Sequence, residues 1–287
     1  MPNILVTGAN GQLGSELQEE MPKILQEDSH FFFTDKDTLD ITNENDIRNF
    51  IDVNHIDTII NCAAYTAVDQ AEDDEINANI INHLAVQYLA QVSKDKNIKF
   101  VHVSTDYVFD GTNHKPYVES DATNPNGIYG KTKLAGEEVM LEINPENSII
   151  IRTSWVYSSY GANFVKTMLR LGKDRDQLGV IFDQVGTPTY AKDLAKAILE
   201  ILPKIQNNKV EIYNYSNEGV CSWYDFAKAI FELSNIECQV NPIETKEYPT
   251  PAKRPHYSLL NKAKIKENFD LVIPYWKDSL EACLKDI

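Results

Sequence analysis

"NILVTGANGQLG" occupies residues 3–14. A short apolar run ends at Thr7, Gly8, Gly11 and Gly14 follow at once, and a helical pattern covers residues 12–21. Three glycines at this spacing mean little alone. Placed between a strand and a helix, they read as a phosphate-binding turn. Gly8 permits the tight turn, Gly11 lets the backbone approach a pyrophosphate, and Gly14 allows close helix–strand packing. The N–H groups at the helix start then face the phosphates.

The same alternation continues outward from this turn. Apolar strands are predicted at residues 30–34 ("HFFFT"), 57–64 ("DTIINCAA"), 98–104 ("IKFVHVS") and 148–155 ("SIIIRTSW"). Helices are predicted at 43–54, at 80–96 and around Tyr129. Repeated strand-then-helix units with apolar strands imply an α/β fold, a Rossmann-like doubly wound parallel sheet with helices on both faces. After Trp155 the pattern loosens: a helix at 163–172, a strand at 178–182, helices at 193–202 and 222–233, and a Pro-rich polar stretch at 241–258. Residues 1–155 are expected to form a nucleotide-binding domain. Residues 156–287 are expected to form mainly a smaller substrate-binding lobe over the carboxyl edge of the sheet, with some later segments rejoining the main domain.

Composition narrows the function. The 287 residues carry 43 acidic and 27 basic side chains, a formal charge of −16. Such a chain is a poor partner for nucleic acid or an anionic membrane. No apolar run is long enough to span a bilayer, and the N-terminus has no signal-peptide pattern. Cys62, Cys221, Cys238 and Cys283 are scattered and lack ligand spacing, as expected of reduced thiols in a cytoplasmic protein.

Ligands of doubly wound sheets bind beyond the carboxyl ends of the strands. Asp35 follows the second strand, where an acidic residue holds the adenine ribose and repels a 2′-phosphate. Lys36 beside it offsets that repulsion, so NADH and NADPH both remain open. The loop at 39–42, with Asp40 and Ile41, is expected on the adenine side, and the small residues near Ala64 let a nucleotide pass close to the backbone. Thr105 and Asp106 end the fourth strand. Tyr129 and Lys133 stand four apart on a helix and share one face. Ketone reduction by a nicotinamide needs a hydride on carbon and a proton on oxygen. A phenol with a pKa of about 10 gives up its proton more easily beside a cation. Tyr129 is therefore expected to donate the proton, Lys133 to tune it and hold the ribose, and Thr105 to polarise the carbonyl.

"TGANGQLG", "NCAAYTAVDQAE", "STDYVFDG", "YGKTKLAGE", "RTSWVY", "DQVGTPT" and "YPTPAKRPHYS" together resemble the dTDP-4-dehydrorhamnose reductases, extended short-chain dehydrogenase/reductases, over almost the whole chain. The glycine and Tyr–Lys motifs mark only the superfamily, whereas "STDYVF", "RTSWVY" and the "TPAKRP" block are specific to the family. The resemblance implies reduction of the 4-keto group of dTDP-4-dehydro-L-rhamnose, for dTDP-rhamnose and surface polysaccharide biosynthesis. NADPH is the usual cofactor, and some members accept NADH. It places Gly11, Gln12, Leu13, Asp35, Asp40, Ile41, Ala64, Tyr65 and Thr66 at the cofactor, Thr105, Tyr129 and Lys133 in the catalytic triad, and Thr105, Asp106 and Trp155 at the sugar nucleotide. Some members form homodimers through magnesium held by surface carboxylates. Glu16 is one position that matches that set and a full ligand set is not matched, so magnesium, where bound, is not expected to be catalytic.

Trp155 reads either as core or as a flat wall against the sugar. Residues 183–189 read as a Gly–Pro turn, to which the resemblance adds a role in shaping the nucleotide pocket. Arg254, in a small basic island, is expected to bind the diphosphate. His102, His114 and His256 show no partners in sequence. A 4,6-dehydratase would carry Glu after Thr105–Asp106, where this chain has Tyr107. An epimerase needs a second acid–base pair that is not evident. A non-catalytic regulatory subunit of the same fold would bind NADPH without oxidising it.

Overall fold

The computed structural model describes residues 2–25 and 29–287. Its first half alternates as β1 (Asn3–Thr7), α1 (Gln12–Ile24), β2 (His30–Thr34), α2 (Glu44–Asn54) and β3 (Thr58–Asn61). A helical stretch follows, built from α3 (Val68–Ala71), α4 (Glu75–Asn79), a π-helical turn (Ile80–Leu84) and α5 (Ala85–Lys96). Then come β4 (Lys99–Thr105), α6 (Ile128–Ile143) and β5 (Ile149–Thr153). The second half holds β6 (Val156–Tyr157), α7 (Phe164–Asp174), β7 (Gln177–Ile181), β8 (Val185–Gly186), β9 (Thr189–Tyr190), α8 (Ala191–Ile201) and β10 (Glu211–Asn214). It closes with β11 (Cys221–Ser222), α9 (Trp223–Leu233), β12 (Gln239–Ile243), α10 (Ala263–Phe269) and α11 (Trp276–Lys285).

Six strands form one parallel sheet in the order β10-β5-β4-β3-β1-β2. β2 lies on one side of β1 and β3 on the other, so the order reverses there and a crevice opens at the carboxyl ends. Thr7 stands opposite Thr34 and Asn61 at one level; Asn61 pairs with His102, so β4 and β5 run three residues further, to Thr105 opposite Thr153. The functional loops leave the sheet at the same edge.

Both faces of the sheet are covered, so its strands are apolar throughout. On one face Ile4, Val6 and Ile60 pack with Leu17 and Met21 of α1 and with Leu194 and Ile198 of α8. On the other, Leu5, Ile59 and Ile150 pack with Ile47, Leu89 and Met140 of α2, α5 and α6. Each such side chain contributes roughly 1.5–3 kcal/mol by leaving water. A separate aromatic-rich core, with Tyr157, Tyr190, Phe226 and Trp276, holds the second lobe together.

Several elements differ from the sequence reading. β10, a strand the sequence reading did not include, lies in the second half of the chain and pairs with β5 in the main sheet, and α8 joins its covering layer. β3 ends at Asn61 rather than 64, because Asn61 Oδ1 takes the N–H of Ala63 and turns the chain out of the ladder. The helix expected at 80–96 starts as a π-turn. The Pro-rich stretch contributes β12, parallel to β7, and then crosses back to the nucleotide half.

Candidate active site

The glycine turn is built as its sequence demands. Gly8 sits at φ 67°, and the Gly11 N–H closes the turn onto the Gly8 carbonyl at 3.0 Å. No side chain caps the start of α1. Its first N–H groups open into a cavity of about 810 Å³, the donor set that suits a pyrophosphate. Gly8, Gly11, Gln12 and Leu13 line one end of the cavity. Asp35, Asp40 and Ile41 line it past β2, and Ala64 and Thr66 past β3. Thr105, Asp106, Tyr129, Lys133 and Trp155 form the far wall.

Asp35 is half-buried and held in place. Its Oδ1 accepts from the N–H groups of Asp37 and Thr38 at 3.0 and 3.2 Å, and Asn10 donates to Oδ2. These bonds, the Asp37 N–H first, pull its pKa below the ordinary carboxylate range and keep it charged. Asp40 Oδ1 caps its own turn through the Thr42 N–H and hydroxyl. Gln12 reaches across to the second half of the chain, accepting from Asn163 Nδ2 at 2.9 Å.

Two expected residues stand apart from the cavity wall. Tyr65 directs its hydroxyl to Asp74 at 3.1 Å, while its backbone is clasped by Asn82: the Tyr65 N–H donates to Oδ1 and the Tyr65 carbonyl accepts from Nδ2. Asn82 lies in the π-turn and also donates to Thr132 on α6. The π-turn thus ties the cofactor-side loop to the Tyr129 helix. Arg254 makes a two-pronged ion pair with Asp69, at 2.7 and 3.1 Å. That guanidinium, expected to face a diphosphate, is engaged by a carboxylate of α3.

The far wall of the cavity rests on buried polar supports. Arg152 of β5 and Glu137 of α6, both buried, pair at 2.6 Å and fix the helix to the sheet. Glu72 accepts from the first N–H of α6 at 2.9 Å. Burial raises the Tyr129 phenol to about 12, against the pull of the Thr105 hydroxyl beside it. Lys133 is buried and its pKa falls to about 8 by burial, against the charge of Glu137. Its Nζ donates to the Val103 carbonyl at 2.8 Å and lies 3.3 Å from His102 Nε2. Lys133 is not among the groups that shift the phenol in this geometry. The amine turns inward to β4, and loss of solvent dominates the phenol. A phenol held protonated is the form a proton donor requires.

Asp106 is buried, and burial raises its carboxyl to about 6 despite the hydroxyls of Ser258 and Thr105. Among the described residues its Oδ2 has no partner of good geometry. Trp155 adopts φ 48°, unusual for a bulky residue, and stacks on Trp223 at 3.6 Å. Trp223, which backs Trp155, was not legible in the sequence as its partner, because it arrives from α9. His102 and Asn61 were also unassigned; their partners come from different strands.

Among the described residues no cluster of three His, Cys, Asp or Glu side chains could hold a metal ion. Glu16 is buried and accepts from Ser158 Oγ at 2.6 Å. None of the described helices is long and apolar enough to cross a membrane.

Comparison with known proteins converges on one family. The model described as the RmlD substrate binding domain matches residues 2–287. A dTDP-4-dehydrorhamnose reductase of Aggregatibacter actinomycetemcomitans is 44% identical, with 98% of each chain covered. The chain belongs to the dTDP-4-dehydrorhamnose reductase family. Among solved family structures, the Clostridium acetobutylicum reductase is 42% identical with a TM-score of 0.92, covering 99% of this chain and 98% of that one. The Bacillus anthracis reductase, in complex with NADP, is 40% identical with a TM-score of 0.93 and full coverage of both chains. A dTDP-glucose 4,6-dehydratase from the same organism, 20% identical at a TM-score of 0.81, shares the fold.

Proposed function

We propose that this protein reduces the 4-keto group of dTDP-4-dehydro-L-rhamnose to give dTDP-L-rhamnose, with NADPH as hydride source, in dTDP-rhamnose and polysaccharide biosynthesis. One observation carries the reading: Thr105, Tyr129 and Lys133 share a wall of the same cavity whose other end is the uncapped glycine turn. Family membership supplies the substrate class, and the Bacillus anthracis relative bound to NADP supports the cofactor.

The cofactor-side residues are Gly8, Gly11, Gln12, Leu13, Asp35, Asp40, Ile41, Ala64, Tyr65 and Thr66. Bound NADPH would supply the hydride. Thr105 donates a hydrogen bond to the sugar carbonyl and polarises it. Tyr129, kept protonated by burial, passes its proton to the carbonyl oxygen. Lys133, on the same helix face, stabilises the phenolate left behind and holds the nicotinamide ribose. Asp106 and Trp155 set the sugar, and Arg254 exchanges Asp69 for the diphosphate.

The test is NADPH oxidation against a panel of dTDP-4-keto-6-deoxyhexoses, with product stereochemistry determined. Turnover is expected with dTDP-4-dehydro-L-rhamnose above the other sugars. Binding of NADPH without oxidation by any member of the panel would reject the reading in favour of a regulatory subunit.

A further inference from the structure

A buried chain of polar side chains runs beneath the catalytic wall. Thr7 Oγ1 donates to Asn61 Oδ1 at 2.6 Å, Asn61 Nδ2 meets His102 Nδ1 at 3.0 Å, and His102 Nε2 faces Lys133 Nζ at 3.3 Å. Asn61 and His102 are at most 1% exposed. The groups come from the ends of β1, β3 and β4 and from α6.

The orientation of Asn61 decides the histidine tautomer. The Ala63 N–H is a backbone donor that cannot rotate, and it donates to Asn61 at 3.2 Å. The atom it meets must be the amide oxygen, so the amide nitrogen faces the ring. Nδ1 must then accept, and in neutral histidine the proton resides on Nε2. Nε2–H points at Lys133, whose Nζ also donates to the Val103 carbonyl. A full ammonium would set donor against donor; an amine with one lone pair toward the ring satisfies both contacts.

We propose that His102 is a positioning residue for the reduction: clamped by Asn61, it presents Nε2–H to Lys133 and disfavours the ammonium relative to the amine. Burial and the neighbouring Lys133 push the imidazole well below its ordinary range, so it stays neutral across the working pH. The other ionisable groups bearing on Lys133 are Cys62, past the end of β3, and Glu137, one turn further along α6 and already paired with Arg152. Tyr129 lies one turn earlier, and Asp106 bears on it from the end of β4. None of these supplies a hydrogen-bond donor to Nζ, so His102 alone sets the conflict.

The kinetic consequence rests on the reductase reading; the tautomer does not. Long-range 15N–1H spectra of histidine-labelled protein with NADPH, assigned with His102→Gln, are expected to show a protonated Nε2 and a bare Nδ1 from pH 6 to 9. Direct titration of labelled Lys133 should move upward by about one pH unit or more in His102→Gln, whose amide can rotate to accept from the ammonium. If turnover is measurable, the alkaline limb of kcat/KM should move with it. An Nδ1-protonated or doubly protonated ring would overturn the proposal. So would a His102→Gln that lowers thermal stability and rate equally at every pH while the Lys133 titration stays in place.

Discussion

Replacing Gly8 by alanine should damage the fold, and replacing Gly11 should damage cofactor binding. A Cβ on Gly8 would lie 2.6 Å from the Ala63 nitrogen, 2.7 Å from its Cα and 2.8 Å from the Cys62 carbonyl carbon. These are backbone atoms at the end of β3 and have no rotamer in which to retreat. The φ of 67° adds about 1–2 kcal/mol for any residue with a Cβ. Overpacking adds typically 1–3 kcal/mol. Gly8→Ala should therefore lose roughly 2–5 kcal/mol, equivalent to a Tm lower by roughly 3–8 °C for a chain of this size. At Gly11 no φ penalty applies, and a Cβ meets only the Gly8 carbonyl oxygen, at 3.2 Å. Gly11→Ala should cost no more than about 1 kcal/mol of stability but weaken NADPH binding about ten-fold or more, because the methyl occupies the approach to the pyrophosphate. Urea unfolding followed by circular dichroism gives the first quantity, and titration of NADPH fluorescence gives the second. A Gly8→Ala protein within about 0.5 kcal/mol of wild type would refute the steric reasoning, since surface changes alone stay within that range. A Gly11→Ala protein with unchanged NADPH affinity would show that the pyrophosphate does not sit at this turn.

Three further outcomes are expected. Asp106→Asn should be more stable than wild type near neutral pH, because the folded state raises the Asp106 carboxyl from 3.8 to about 6 and so disfavours its ionisation. The wild type loses that stability as pH rises from about 4 to about 6, so the gap should be absent near pH 4 and reach ~2–3 kcal/mol above pH 6; a gap independent of pH in urea titrations would contradict it. Arg152→Met should destabilise by about 3–5 kcal/mol by leaving Glu137 buried without its partner, whereas Arg152→Met with Glu137→Leu should recover most of the loss; additive losses in a double-mutant cycle would count against a coupled pair. Asp35→Ala should shift the kcat/KM ratio toward NADPH over NADH by about ten-fold, as removal of a carboxylate facing the adenine ribose requires. An unchanged ratio would place Asp35 away from the ribose.

The sheet was readable from the chain because its strands are buried on both faces and its helices carry strong periodic patterns. The glycine turn was readable because its meaning depends only on adjacent elements. Thr105, Asp106, Tyr129 and Lys133 could be placed at one edge by the general rule for doubly wound sheets, and all four line the cavity. What sequence patterning missed was long-range. β10 is a four-residue strand whose only signal is its pairing with β5. His102 looked like an unpartnered histidine because its partners, Asn61 and Lys133, lie 41 and 31 residues away. Arg254 was read as a diphosphate ligand with no carboxylate partner in view, because Asp69 is 185 residues distant. The inward turn of Lys133 was equally hidden, since residue spacing places a side chain on a helix face but does not choose its hydrogen-bond acceptor.

The central claim is that Tyr129 gives its proton to the sugar carbonyl. Tyr129→Phe removes the hydroxyl and keeps the ring that packs edge-on against Tyr107 at 5.4 Å. NADPH oxidation with dTDP-4-dehydro-L-rhamnose should then fall roughly 10²–10⁴-fold in kcat. The Kd for NADPH, measured on the same preparation, should stay close to that of the wild type. A Tyr129→Phe protein that turns over at near the wild-type rate would contradict the account.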